Sequence, residues 1–207
     1  MAQTALARHA GPIALAGGAA FALVDLARWV VQRPADFVGM MADPAFRVVN
    51  GAYFIAFIGL AIALVALHER FAPRFGRYGL VAFLVAFAGT MTQGGNMWFD
   101  GFAGPWIAEV APQAIAAEKT ITLQVGALSA YVLFALGWMM FGIALLRARV
   151  VPAAMALGVV VGGLLGFQSG LPPFGIPIGL AVAALGVALM RSPSPALDAE
   201  RAQRPKV

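Results

Sequence analysis

The sequence has no cysteine, only two histidines and two lysines, and charges on just 11% of its 207 residues. Without thiols, disulfides, iron–sulfur clusters and thiolate zinc sites are excluded. His9 and His68 lie far apart in sequence, at the ends of apolar runs on one side, which fits interfacial side chains and not a metal site. Lys119 and Lys206 both fall outside the apolar runs, so an intramembrane Schiff-base lysine is missing. Zincin, phosphate-loop and nucleophile-elbow patterns are also lacking, and no histidine stands where it could activate an intramembrane serine. A carboxylate dyad would need a second acid at the depth of Asp25, and Asp100 is the one nearby. These absences point away from an enzyme, and no cofactor or metal is implied.

Apolar residues fill the space that charge leaves. Hydrophobic types make up 61% of the chain and the mean hydropathy is +0.86, far from the balance of a soluble domain. They come in runs of roughly 17 to 25 residues, the length an α-helix needs to cross about 30 Å of hydrocarbon. Six such runs are read, at 11–31, 48–68, 78–97, 120–146, 152–168 and 174–190. The first is too long for a signal-peptide core and contains Asp25 and Arg28, so it reads as a retained span. The expected fold class is all-α: a polytopic membrane helical bundle, one transmembrane domain over 1–190, with a disordered cytoplasmic tail over 191–207.

The sequence pI near 10.4 does not signal nucleic acid, because the cations are distributed by loop. Ten of the fourteen arginines and lysines fall before the first run, between runs two and three or four and five, or after run six. The opposite side holds Arg33, Arg47 and Lys119 among five acids, and Arg28 lies inside the first run. The positive-inside rule then places both termini in the cytoplasm. Twelve arginines against two lysines, with abundant alanine, fit a GC-rich bacterial genome and hence a multi-pass plasma-membrane protein.

Two stretches repeat weakly. "AYFIAFIGLAIALVALHERFAP" from Ala52 and "AYVLFALGWMMFGIALLRARVVP" from Ala130 share the Ala-Tyr start, Gly59 and Gly137 six residues past the tyrosine, an Ala-Leu pair, and then arginine and proline. This reads either as a parallel repeat of hairpins two–three and four–five or as chance in a biased composition. Gly158, Gly162 and Gly166, like Gly175, Gly179 and Ala183, recur every four residues and should let helices approach closely. Pro177 is expected to kink the sixth helix.

Polar residues within the runs gather at one depth. Asp25 and Arg28 share a helical face with Gln32, Asp25 about 9 Å inside the outer end of the first run at 1.5 Å per residue. Thr90, Gln93, Asn96 or Met97, and Asp100 follow helical spacing, so Thr90, Gln93 and Asn96 stripe the outer end of the third run; Thr120, Gln124 and Tyr131 stripe the start of the fourth; Asn50 opens the second and Gln168 closes the fifth. Asp25 and Arg28 are expected to pair, which lowers the cost of two charges in the membrane. The candidate polar pocket is therefore Asp25, Arg28, Asn50, Gln93, Asn96, Gln124, Tyr131 and Gln168. Two readings stay open: structural glue between helices, or an outward-facing ligand site.

The outer connection "MWFDGFAGPWIAEVAPQAIAAEKT" places Trp98, Phe99, Phe102 and Trp106 as an interfacial belt, with a short helix expected from about Pro105 to Glu118. The stretch "GGNMWFDGFAGPWIAEVAP", with "LFALGWMMFGIALLRARVVPAAMALGVVVGGLLG" and "GLPPFGIPIGLAVAALGVALM", resembles a group of small bacterial six-span membrane proteins, a resemblance over spans three to six that implies topology and not activity. The expected function is that of a structural or accessory membrane protein, with a small permease or receptor for a polar or amphipathic molecule as the alternative. Expected partners are the lipid bilayer and other membrane helices or a second copy, with no nucleic acid and an unspecified small-molecule ligand.

Overall fold

The computed structural model describes residues 4–31, 37–169 and 172–191. Gln32, expected on the face of Asp25, and all but the first residue of the expected tail lie outside the described residues. Among the described residues the chain is all-helical, with no strand. Its main elements are α1 (Ala10–Val31), α2 (Pro44–Trp98), α3 (Ile121–Ala148), α4 (Ala153–Leu165) and α5 (Ile176–Arg191). Three continuous helical stretches, Ala10–Val31, Pro44–Val110 and Ile121–Ala148, are long and apolar enough to cross a membrane. The apolar helices α4 and α5 are shorter.

α2 is two helices in one. It starts where Asp43 accepts a hydrogen bond from the Ala45 amide and Pro44 supplies a preset φ at the first position. It reverses at Gly76, whose φ of 59° and ψ of −161° only glycine adopts without strain. The two arms, 44–75 and 77–98, then run antiparallel: Phe57 lies against Gly94, Phe54 against Phe102, and His68 stacks on Phe83. The charged stretch between runs two and three is thus mostly helical, and the reversal itself is one glycine. At α3, Thr120 caps the start through the Leu123 amide, and Arg149 ends the helix at φ 50°.

Neighbouring segments alternate in direction and close into a ring. α1 packs antiparallel on the first arm through Gly17 and Gly59, and on α5 through Gly11 with Gly186 and Gly18 with Gly179. The second arm meets α3 through Gly89 with Phe134 and Ala86 with Gly137; α3 meets α4 through Gly142 and Gly163; and α4 meets α5 through Gly162 and Ile178. Each contact places a glycine where a Cβ would strike another helix, the close approach that association in lipid relies on. Gly162 and Gly179 serve as their four-residue spacing predicts. The interior is aromatic, with Phe21, Tyr53, Phe57, Phe134 and Trp138 buried together. Phe57, Leu60, Ala63 and Leu67 are buried in the first arm, and so are Ala135, Trp138, Phe141 and Leu145 at the matching positions of the second "AY" stretch.

Pro177 does not kink α5. The helix begins at Ile176, so the proline occupies its first turn, where a missing N–H costs nothing. The expected helix after Pro105 is two short pieces, Gly104–Val110 and Pro112–Ala116, divided at Ala111.

Candidate functional site: a buried polar cluster at one end of the bundle

The ends of α1, the second arm and α4 meet the starts of the first arm, α3 and α5 at one end of the bundle, and the buried polar residues collect there. Asp25 is fully buried. Its Oδ1 accepts from the Tyr53 hydroxyl at 2.7 Å, and its Oδ2 accepts from the amides of Gly175 and Ile176 at 3.0 and 3.1 Å. Those amides open α5, so the carboxylate caps a helix 150 residues away in sequence. Free N–H groups and the positive end of the helix dipole favour an anion there. Tyr53 also approaches the Ser169 carbonyl at 2.9 Å, which ties the first arm to the turn after α4. One carboxylate and one phenol therefore join α1, the first arm, the α4 end and α5.

Arg28 does not pair with Asp25. Its Nη1 lies 3.0 Å from the Met97 sulfur and its Nη2 3.5 Å from Asp100 Oδ2, the ion pair of the cluster. The guanidinium carbon sits 5.7 Å from the ring centres of both Phe46 and Tyr53, a cation–π cradle. The physical reason is competition: two helix-end amides and a phenol already occupy the carboxylate. The arginine turns instead to the second arm.

The remaining predicted residues divide. Asn50 and Gln93 are fully buried: Asn50 donates to the Phe46 carbonyl at 2.8 Å, and the Gln93 carbonyl accepts from Asn96 at 3.1 Å. Asn96 and Tyr131 are half-buried, Tyr131 near the Phe167 ring. Gln124 and Gln168 are exposed and take no part, Gln124 donating to the Lys119 carbonyl. Thr90 receives the Trp138 indole N–H at 3.0 Å and donates to the Ala86 carbonyl, linking the second arm to α3 below the cluster. Sequence reasoning missed Tyr53 and Ser169, and Met97 stood only as the alternative to Asn96 on the helical spacing. Tyr53 carried a signal, since it opens the repeated "AY" stretch at the depth of Asp25.

Above the cluster, Arg47 donates to Glu109 at 2.6 Å and to the Met41 carbonyl, pinning the connecting helices Phe37–Ala42 and Gly104–Val110 over this end. Of the expected belt, Trp98, Phe102 and Trp106 are exposed around it and Phe99 is half-buried. An open depression of about 520 Å³ lies between Phe37, Val38, Ile115 and Lys119, and none of its lining residues belongs to the cluster. No group of three metal-ligating side chains occurs among the described residues. Compared with known proteins, the chain matches no family, no curated protein and no solved structure.

Proposed function

We propose that this is a six-span bacterial plasma-membrane protein with a structural or accessory role, in which the outer-leaflet polar cluster fastens helices and catalyses nothing. The two arms of α2 count as separate spans in this reading, and α4 and α5, at about 1.5 Å per residue, cross a locally thin or dimpled region beside longer neighbours. The Asp25 clasp is the observation that carries it. Among the described residues, both carboxylate oxygens are engaged by the protein's own frame, through the Tyr53 hydroxyl and the Gly175 and Ile176 amides, which suits a fastener. Alternating helix directions and arginines at the opposite end support both termini in the cytoplasm. Matching burial in the two "AY" stretches supports two parallel hairpins related by an axis along the membrane normal.

Reporter fusions test the placement. A reporter active only in the cytoplasm should work at either terminus and within 70–77, and be silent near Glu109. Activity at Glu109 would overturn the orientation. Neutralising Arg70, Arg74 and Arg77 together should give mixed insertion, because these cations carry the orientation signal.

A further inference from the structure

The two ends of the bundle treat their cations differently. At the polar end Arg28 meets Asp100 and Arg47 meets Glu109. At the opposite end stand the exposed arginines Arg8, Arg74, Arg77, Arg147, Arg149 and Arg191. Glu69, the one acid there among the described residues, already accepts from the Thr4 hydroxyl. From 70 to 99 and from 120 to 191 the sequence has no acidic residue, so the second arm, α3, α4 and α5 supply no counter-charge. The terminal segments do not make up the deficit: 1–9 carries no acid, and 192–207 holds two acids against three cations. The balancing anion must come from outside the chain.

Three of these arginines gather at one corner. The Arg147 guanidinium carbon lies 4.8 Å from the centre of the Tyr78 ring, which ties the end of α3 to the start of the second arm. Arg77 directly precedes that tyrosine, and α3 stops at Arg149, whose φ of 50° closes the helix. None of the three has a carboxylate partner among the described residues. An apolar stripe leads away from them, since at helical spacing Arg77 is followed by Leu80, Leu84, Phe87 and Met91, each exposed. Arg77 to Phe87 spans about 15 Å at 1.5 Å per residue, half of a hydrocarbon core of about 30 Å. The stripe is therefore one leaflet deep.

We infer that this corner holds one anionic phospholipid of the inner leaflet, with its phosphate at Arg77, Arg147 and Arg149 and an acyl chain along Leu80, Leu84 and Phe87. Planar guanidinium groups match phosphate oxygens, and arginines just beyond a span attract acidic lipid. Cations alone would take free phosphate as readily; the exposed stripe beneath Arg77 is what selects a lipid. The inner-leaflet source rests on the membrane placement proposed above. The site adds a partner that the fastening role does not require, at the end of the bundle away from Asp25 and Tyr53.

Native mass spectrometry of the full chain released from detergent tests this, with dioleoyl phosphatidylglycerol, dioleoyl phosphatidylcholine or inorganic phosphate added. The protein should retain one phosphatidylglycerol with a preference of about tenfold or more over phosphatidylcholine, and excess phosphate should not displace it. Arg77→Gln with Arg147→Gln should lower that preference about tenfold. Arg77→Gln with Arg149→Gln, which leaves the Arg147–Tyr78 contact in place, should do the same. Arg8→Gln with Arg191→Gln removes equal charge on the opposite side of the ring and should leave retention unchanged. Equal retention of the two lipids, displacement by phosphate, or equal losses in all three double variants overturns the inference. Micelles impose no orientation, so these outcomes do not depend on topology; a cytoplasmic reporter silent within 70–77 would overturn the inner-leaflet placement instead.

Discussion

Replacing Asp25 with alanine should lower the unfolding free energy by about 3 kcal/mol, because it removes three hydrogen bonds to a buried charged acceptor and uncaps α5. Gly175 and Ile176 then present bare amides to an apolar interior, and the Tyr53 hydroxyl keeps only the Ser169 carbonyl. Asp25→Asn should lose roughly a third as much, since the amide oxygen still caps the helix but without charge. Arg28→Ala should cost less than Asp25→Ala, about 1–2 kcal/mol, as its ion pair is long and Asp100 retains some contact with solvent. An intimate Asp25–Arg28 pair predicts the opposite order and a double variant that regains stability. The observed partners predict that the two losses add to within about 0.5 kcal/mol. Thermal unfolding of the four detergent-solubilised proteins checks both statements.

Gly137→Ala should be the second large lesion. The new methyl would sit 2.3 Å from the Ala86 Cα and 2.7 Å from the Val85 carbonyl carbon, both backbone, so no side-chain rotation relieves it. The second arm and α3 must separate, which loosens the Thr90–Trp138 hydrogen bond one turn away. A loss of about 2–3 kcal/mol is expected from overpacking of this kind. Gly126→Ala, on the same face of α3, meets nothing and should be neutral or stabilising by about 0.5 kcal/mol through helix propensity. Paired melting curves for the two variants make the comparison. Equal effects would mean that the two positions are packed alike.

The gathering of polar residues at one end of the bundle was legible because helical rise fixes a residue's level along its helix directly. Their partners were not. The amides of Gly175 and Ile176 are backbone groups far along the chain, and no side chain announces that a helix will begin beside Asp25. Gln124 and Gln168 show where helical spacing misleads. The first turns of α3 stand clear of their neighbours, so a shared stripe with Tyr131 does not bury Gln124. At the end of α4 the chain tightens into a 3₁₀ turn, Gly166–Gln168, whose larger rotation per residue carries Gln168 outward while Ser169 is buried. Pro177 was placed inside a run whose helix begins only at Ile176, so the expected kink had no helix to bend. The glycine spacing succeeded in α4 and α5, and the glycines of α1, at positions 11, 17 and 18, perform the same task without so regular a pattern.

The proposed fastening role rests on the Asp25–Tyr53 clasp, and a double-mutant cycle measures it. Asp25→Ala, Tyr53→Phe and the double variant should show a coupling of about 1–2 kcal/mol in unfolding free energy, because either change alone breaks the 2.7 Å bond and the second has less left to remove. The same cycle between Asp25 and Arg28 should give about 0.5 kcal/mol or less. Additive losses for Asp25 and Tyr53, with strong coupling between Asp25 and Arg28, would contradict the account.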